Sequence, residues 1–253
     1  MDRWTIQRSA FSRAHPYEDL FRGSDIADAQ SFLLELGEAT VNEDEIGFLR
    51  SRCPFFSDQY LCFLRDFKFA PDTHLCVEFT SESIKSNEHE DMGQVSITAS
   101  GKWLDTTLYE NVILQTLNEA YFRFCDTDWT LDGQEELAYQ KGCLAISQGI
   151  RFADFGSRRR RCIDGQEADL RGLIRAQEEY GGVSEGCFLG TSNVHLAHKL
   201  GLVPQATMSH EWFMGVGAAV QDYEKATSVA LSQYLESFGR WIHHDVSSSE
   251  PLE

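Results

Sequence analysis

The chain has 253 residues and a net charge of −18, with 42% hydrophobic and 12% aromatic residues. That length and composition fit a globular protein of one large α/β domain or two smaller ones, and the acidic balance argues against general binding to nucleic acid or anionic membranes, which would repel it. Seven cysteines, odd in number and without CxxC spacing, argue against a disulfide framework or structural zinc and point to a reducing compartment.

The start, residues 1–22, has no long apolar h-region. Its basic, serine-containing opening hints at a transit peptide, but Asp2, Glu18 and Asp19 weigh against that, and it reads as a divergent leader. No later stretch approaches the roughly 18 apolar residues of a membrane span. Ser24 precedes DIADAQSFLLELGEA, where Ile26, Ala29, Phe32, Leu33 and Leu36 fall at helical steps and Gly37 is a stop. Asn42 is placed to cap a second helix through Ile46, Leu49 and Arg50. Phe55, Tyr60, Phe63, Leu64 and Phe67 form a helical apolar stripe, broken at Pro71, that reads as core packing.

Leu75 to Thr80 and Gln94 to Ser100 alternate like strands on either side of the polar loop SESIKSNEHEDMG, which predicts a two-stranded antiparallel unit. Lys102 to Asp126 predicts one long, mostly buried helix, with Leu108, Val112, Leu114, Leu117, Ala120, Tyr121 and Phe124 on its apolar face. Trp129 to Gly149 has a helical pattern with Leu137, Ala138, Leu144 and Ile146.

From Ile150 the texture becomes short strand, helix, short strand, helix. Apolar runs end in Asp154-Phe155-Gly156-Ser157-Arg158, in Gly190-Thr191-Ser192-Asn193 and, after a third segment from Leu202 to Met208, in Ser209-His210-Glu211-Trp212. Parallel strands are predicted near 151–155, 186–190 and 203–208, presenting functional groups at their C-terminal ends. Gln166 to Tyr180 is the first crossover helix, ended by Gly181-Gly182. Asn193 caps the second, VHLAHKL, which stops at Gly201. After Gly215-Val216-Gly217 a long helix runs through Phe238, and the polar tail 241–253 reads as disordered.

Several residues carry chemistry in this layout. The run Arg158 to Arg161 stands out in an acidic chain as a local anion site, against the plainer reading of a solvated turn paired with acids. Phe155 offers a ring face, although core filling is the commoner role for such a residue. The hydroxyls of Thr191 and Ser192 can donate to an anion, while Ser192 and Asn193 can equally cap a helix. His210 has the nucleophilicity near neutral pH that phosphoryl transfer needs, though a histidine after a strand is more often structural. Glu211 either orients His210 or forms a salt bridge. His195 and His198 have metal-compatible spacing without a third ligand, read as surface residues, and no metal ligand is assigned.

The motifs DFGSRRR, FLGTSN and the His210-Glu211-Trp212 segment resemble those of nicotinate phosphoribosyltransferases. CPFFSDQYLCFLRDFKF and SGKWLDTTLYENVILQTLNEAYFRF are similar to the same family's N-terminal domain. The resemblance covers roughly residues 23–240. It implies an α/β fold: an α+β N-terminal domain over 23–149 and a partial, irregular α/β barrel of the type II phosphoribosyltransferase kind over 150–240.

It also implies a ligase-class enzyme of NAD salvage. Nicotinate and phosphoribosyl pyrophosphate combine to nicotinate mononucleotide, with ATP as co-substrate, Mg accompanying the phosphates, a phosphorylated His210, a homodimer and a cytoplasmic location. By the same resemblance Phe155 stacks on the pyridine ring and Arg158 contacts anionic groups; of Arg159, Arg160 and Arg161, one is expected to reach phosphate, with Arg159 the candidate, and the others read as surface residues. Related nicotinamide-using enzymes carry an acid where Ser192 stands, so Ser192 favours the acid form of the vitamin. The family's short motif with a ring-stacking tyrosine, its acidic Asp-Ser-Gly-Asp segment and its glycine-rich phosphate loop have no equivalent here. The expectation is therefore a chain truncated at both ends. The alternative is a catalytically inactive fragment that acts as a binding or dimerisation partner.

Overall fold

The computed structural model describes residues 4–9, 21–22, 33–81 and 92–242. The expected helix start at Ser24, the loop tip between the two predicted strands, and the tail from His243 on lie outside the described residues; Trp241 and Ile242, expected to be disordered, instead end the last helix.

Four strands form the first sheet: β1 (Trp4–Ser9), β2 (Phe21–Arg22), β3 (Leu75–Ser81) and β4 (Met92–Gly101). All pairings are antiparallel to β4. β3 lies along one edge of β4, from Leu75 opposite Ala99 to Ser81 opposite Gly93; β1 and β2 share the other edge. The predicted pair is thus the centre of a larger sheet, and part of the stretch set apart as a leader lies along β4.

On β4, Val95, Ile97 and Ala99 alternate inward at the period of a strand. They meet Tyr109, Ile113 and Leu117, spaced at helical steps on a facing helix. Tyr109 is fully buried, and its hydroxyl accepts from the Ala70 amide at 2.8 Å.

Beside this core sit α1 (Glu43–Arg52), α2 (Asp58–Asp66) and the single turn α3 (Pro71–His74). The Asn42 cap forms as expected: its side chain accepts from the Glu45 amide while Glu45 accepts from the Asn42 amide, both at 2.9 Å. The aromatic stripe is a chain of ring contacts from Phe55 through Tyr60 and Phe63 to Phe69 and Tyr109. Leu61, not the rings, is the buried residue of α2.

The long helix expected from Lys102 is broken. One turn, α4 (Trp103–Thr106), precedes α5 (Tyr109–Phe124). Thr106 is buried and its hydroxyl donates back to the Lys102 carbonyl at 3.0 Å, which competes with continuing the helix. The next helix, α6 (Gln134–Ser147), also departs from expectation. Leu137 and Leu144 are exposed, while Ala138, Gly142 and Ile146 are buried. The small residues Ala138 and Gly142 permit close approach to Gly172 and Ala176 of the following helix.

The second sheet is a parallel pair, β5 (Arg151–Asp154) and β6 (Cys187–Thr191). They are joined by α7 (Ile163–Tyr180) and followed by α8 (Val194–Leu200). Leu170, Phe188 and Leu196 form their core with Phe152, Leu173 and Leu202 packed around it. The register shifts between Phe152 and Asp154, where β6 fits an extra residue opposite. Gly190 lies in that shift with φ +129°, and a Cβ there would stand 2.1 Å from the Val203 carbonyl oxygen, so only glycine fits.

The third strand predicted at 203–208 reduces to one parallel bridge, Thr191 to Pro204. Thr191 N–H donates to the Val203 carbonyl at 3.3 Å and Gln205 N–H to the Thr191 carbonyl at 2.8 Å. Those bonds use the residues on either side of Pro204, whose missing amide would face away from β6; the pairing goes no further before Ser209 caps α9 (His210–Val220), which is followed by α10 (Tyr223–Ile242). The stacked rings of Trp103 and Trp212, 6.3 Å apart, fasten α9 to the first region. Among the described residues no helix is long and apolar enough to cross a membrane.

Candidate functional site

The C-terminal ends of β5 and β6 are held together by one carboxylate. Asp154 Oδ1 accepts from the Gly156 amide at 2.9 Å; its Oδ2 accepts from Gln166 Nε2 at 2.8 Å and from the Thr191 hydroxyl at 2.6 Å. The Asp154 carbonyl accepts from the Ser192 amide at 2.8 Å. Gln166, almost fully buried, extends the network: its Oε1 accepts from Arg160 Nη1 at 3.0 Å and from Asn193 Nδ2 at 3.1 Å. Both short loops are thus tied before any ligand arrives.

This arrangement changes what several predicted residues can do. Thr191, expected to donate to an anion, is fully buried and donates to Asp154 instead. It positions the loop. Asn193 caps α8, accepting from the Leu196 amide at 3.0 Å, and also donates to Gln166. Ser192 is half-buried, and no described residue bonds its hydroxyl, which leaves that group available to a ligand. Phe155 is 50% exposed, so it does not fill the core, and its ring is open to stacking.

The four arginines separate. Arg158 Nη1 donates to Glu110 Oε1 at 3.1 Å with its side chain half exposed. Arg160, read as surface, is instead largely buried and donates to Glu119 at 2.6 Å. Arg161, also read as surface, lies over the rings of Phe122 and Trp129. Arg159 is exposed and forms no ion pair with a described residue. A solvated turn paired with acids therefore describes only part of the run.

His210 is the first residue of α9, whose cap Ser209 accepts from the Glu211 amide at 3.2 Å. Its Nε2 stands 3.8 Å from Glu110 Oε2, and its side chain is 56% exposed. Glu211 neither pairs with a cation nor touches His210 by a hydrogen bond; it is buried and accepts from the Thr107 hydroxyl at 2.6 Å. The loop after β5 therefore reaches Ser192 through Asp154 and His210 through Arg158 and Glu110.

Glu110, Asp154 and Gln166 carry no role in the sequence reading. A glutamate amid the apolar positions of LYENVIL was a usable signal for Glu110, since a buried carboxylate needs a partner. Gln166 is one polar residue among many on α7, and nothing in its spacing marks it.

His195 is exposed. His198 is tied to α1, 3.2 Å from Asp44 and ring to ring with Phe48. Both line a cavity of about 290 Å³ with Phe48, Leu49, Leu64 and Phe67. That cavity is mostly apolar and lacks the arginine and hydroxyl donors at the strand ends. Donor chemistry, not volume, marks the site.

Comparison with known proteins bears on the same residues. Residues 6–118 match the nicotinate phosphoribosyltransferase (NAPRTase) N-terminal domain, and residues 150–246 match the nicotinate phosphoribosyltransferase (NAPRTase) family. A probable nicotinate phosphoribosyltransferase of Schizosaccharomyces pombe is 39% identical over 196 residues, 78% of this chain and 45% of that protein. The nicotinate phosphoribosyltransferase of Saccharomyces cerevisiae is 37% identical over 174 residues, 69% of this chain and 40% of that protein.

A crystal structure from Saccharomyces cerevisiae, titled as a nicotinate phosphoribosyltransferase, superposes with a TM-score of 0.83 at 31% identity. It covers 94% of this chain and 56% of its own. One from Porphyromonas gingivalis gives 0.74 at 26% identity, over 94% of this chain and 55% of its own. The chain thus spans about half the length of the relatives it matches. Two family matches that together span both regions, and a fold shared over nearly the whole chain, lead to one conclusion: the chain belongs to the nicotinate phosphoribosyltransferase family.

Proposed function

We infer that this chain carries part of a site at which nicotinate and phosphoribosyl pyrophosphate form nicotinate mononucleotide and pyrophosphate, in NAD salvage. The observation that carries the reading is the joining of Arg158 and His210 through Glu110, a few residues from the exposed ring of Phe155. The relatives are named for this activity.

In the reaction the pyridine nitrogen lone pair attacks C1 of the ribose. The C1–O bond breaks, and pyrophosphate leaves with the electron pair. Phe155 stacks on the ring, Arg158 forks onto a carboxylate or phosphate, and Ser192 lies near the ring substituent without a negative charge. Arg159, unpaired with any described residue, reaches phosphate. Catalysis of such a displacement rests on orientation and charge stabilisation.

His210 takes the γ-phosphoryl group of ATP. An N–P bond forms as the bond to ADP breaks, and later hydrolysis of the phosphoramidate couples ATP to the synthesis, which is ligase chemistry. Its exposure and its place at the positive end of α9 suit an arriving phosphate. Mg enters as the complexes of ATP and phosphoribosyl pyrophosphate. Seven free cysteines suit a reducing, cytoplasmic location.

The test is incubation with γ-labelled ATP, then with nicotinate and phosphoribosyl pyrophosphate. Acid-labile, alkali-stable label that disappears in His210→Asn, with nicotinate-dependent pyrophosphate release, is expected. No label and no nicotinate binding, where a full-length yeast relative shows both, would sink it.

A second reading, a binding or dimerisation partner without catalysis, is favoured by exposed apolar residues on α10. Tyr223 is 83%, Leu231 42% and Leu235 54% exposed. A homodimer through this face would appear as a concentration-dependent sedimentation coefficient, abolished by Leu235→Lys.

A further inference from the structure

Three side chains able to hold a metal meet where α5 passes the start of α9. Glu110, His210 and Glu211 each offer one ligand atom, and these atoms lie within 4.8 Å of one another. Glu110 and Glu211 are buried; His210 is exposed. They come from segments a hundred residues apart, which is why no spacing in the sequence announces them.

A second, independent observation points to a ligand. Glu211 Oε2 accepts from Thr107, but its other oxygen, Oε1, is buried without a hydrogen-bond partner. Among the described residues it is the only such side-chain atom. A buried carboxylate oxygen left unsatisfied costs on the order of 1–3 kcal/mol or more, so a structure retains it where something else completes it.

We propose that Glu110, His210 and Glu211 bind one first-row divalent cation, of the Mn²⁺ or Zn²⁺ class. Two carboxylate oxygens and an imidazole nitrogen make a borderline donor set. Imidazole suits zinc, carboxylate suits manganese, and the set is too small and too nitrogenous for calcium. A cation about 2.1 Å from each ligand draws neighbouring donors to roughly 3.3 Å of one another. His210 is the ligand placed to supply that contraction, because its side chain is 56% exposed at the first residue of its helix while both carboxylates are buried.

Charge balance agrees. Arg158 offsets one charge at Glu110, and among the described residues none forms a cationic pair with the buried Glu211. Three protein ligands leave further positions for water or a phosphate oxygen, as in sites that do chemistry rather than hold structure. A ring nitrogen that holds the ion cannot at the same moment carry a phosphoryl group, so binding is measured on the unphosphorylated chain, without ATP, and the test needs no turnover.

The chain, stripped of metal by chelator and dialysed, is titrated with Mn²⁺ while free Mn²⁺ is followed by electron paramagnetic resonance, and separately with Zn²⁺ by calorimetry. One ion per chain is expected. His210→Ala and Glu211→Gln should each weaken it at least tenfold, with thermal melts close to the parent's. His195→Ala should change nothing, which separates this site from the exposed histidines of α8. If Glu211→Gln does not fold, His210→Ala alone decides, since its side chain is mostly in solvent. Absence of binding up to about 1 mM free ion, the weak end of biological affinities, would overturn the proposal. So would stoichiometric binding indifferent to His210→Ala, or lost in His195→Ala.

Discussion

Around β4, the interior is made of Val95, Ile97, Ala99, Ile113 and Leu117, and the buried hydroxyls of Tyr109 and Thr106 are both bonded to backbone. Around β5 and β6, an apolar floor of Leu170, Phe188 and Leu196 carries a polar layer on top: Asp154, Gln166, Thr191 and Asn193 bonded to one another. Both regions bury a strand against a helix. They differ in what stands at the strand ends. In the first, β4 runs through Lys102 straight into α4. The second uses its polar groups to hold two loops in shape, and the residues left over from that bonding, Phe155, Ser192 and half of Arg158, face outward. Rigidity beneath and unused groups above are what a binding site requires.

Removing the centre of the polar layer should break the contrast most. Asp154→Ala leaves the Gly156 amide, Gln166 and Thr191 without their acceptor, and we expect a loss of about 4 kcal/mol. Hydrogen exchange should show β5 and β6 losing protection while β4 keeps it. Equal loss in both regions would mean that they are one cooperative unit.

The converse change is Ile113→Ala, which opens a cavity under β4 and should cost about 3 kcal/mol. Exchange should now rise in β3 and β4 first. If β5 and β6 respond equally, the two cores do not act separately.

A smaller effect tests the outward residues. Under the proposed function, Ser192→Asp should turn preference from nicotinate toward nicotinamide by about tenfold, roughly 1.4 kcal/mol. The new carboxylate repels an acid and accepts from an amide. Titration of both ligands against both variants measures it. Unchanged selectivity would leave Ser192 as part of the loop alone.

The smallest effect concerns buried chemistry in the first region. Cys53 is buried with Ile46, Leu49 and Leu61, and desolvation pushes its thiol up to about 11 from 9.0. The unfolded chain releases this proton at lower pH than the folded one. Its contribution to stability is therefore fully present below pH 9 and lost as pH rises toward 11. At pH 8 the exposed Cys62 and Cys76 should be alkylated first, with Cys53 reacting only on unfolding. Early labelling of Cys53, read by peptide mass, would contradict the packing of α1 on α2.

Much of this architecture was legible in periodicity and caps. Asn42, Asn193, Gly201 and the Gly181-Gly182 stop all act locally, and local rules predict them. The strands β5 and β6 were legible because each is an apolar run ending in small polar residues. What escaped depended on partners far along the chain. The helix break at 107–108 falls just after Thr106, whose hydroxyl adds a bond to the Lys102 carbonyl beside that of its own amide. The third strand pairs only at Pro204 before the chain turns into α9 behind its cap, Ser209. The exposure of Leu137 and Leu144 follows from α7 approaching the small residues of α6. At the site, Phe155, Arg158, Ser192 and His210 were nameable from motifs. The burial of Thr191 and the convergence on Glu110 were not, because each joins segments separated by dozens of residues.

The helix α5 has one further consequence. It offers Glu110 to Arg158, Glu119 to Arg160, and the Phe122 ring to Arg161. The seam between two apolar bodies is thus closed here by three cationic fingers, each in its own socket. Such a seam answers to ionic strength where the bodies do not. Arg158, with half its side chain in solvent, should let go first as salt rises, and Arg160, largely enclosed, should hold longest. Salt should then act as a graded lever on the distance between the loop that carries Phe155 and the helix that carries His210, and a pair of fluorophores, one beside that loop and one on α9, would record whether it moves.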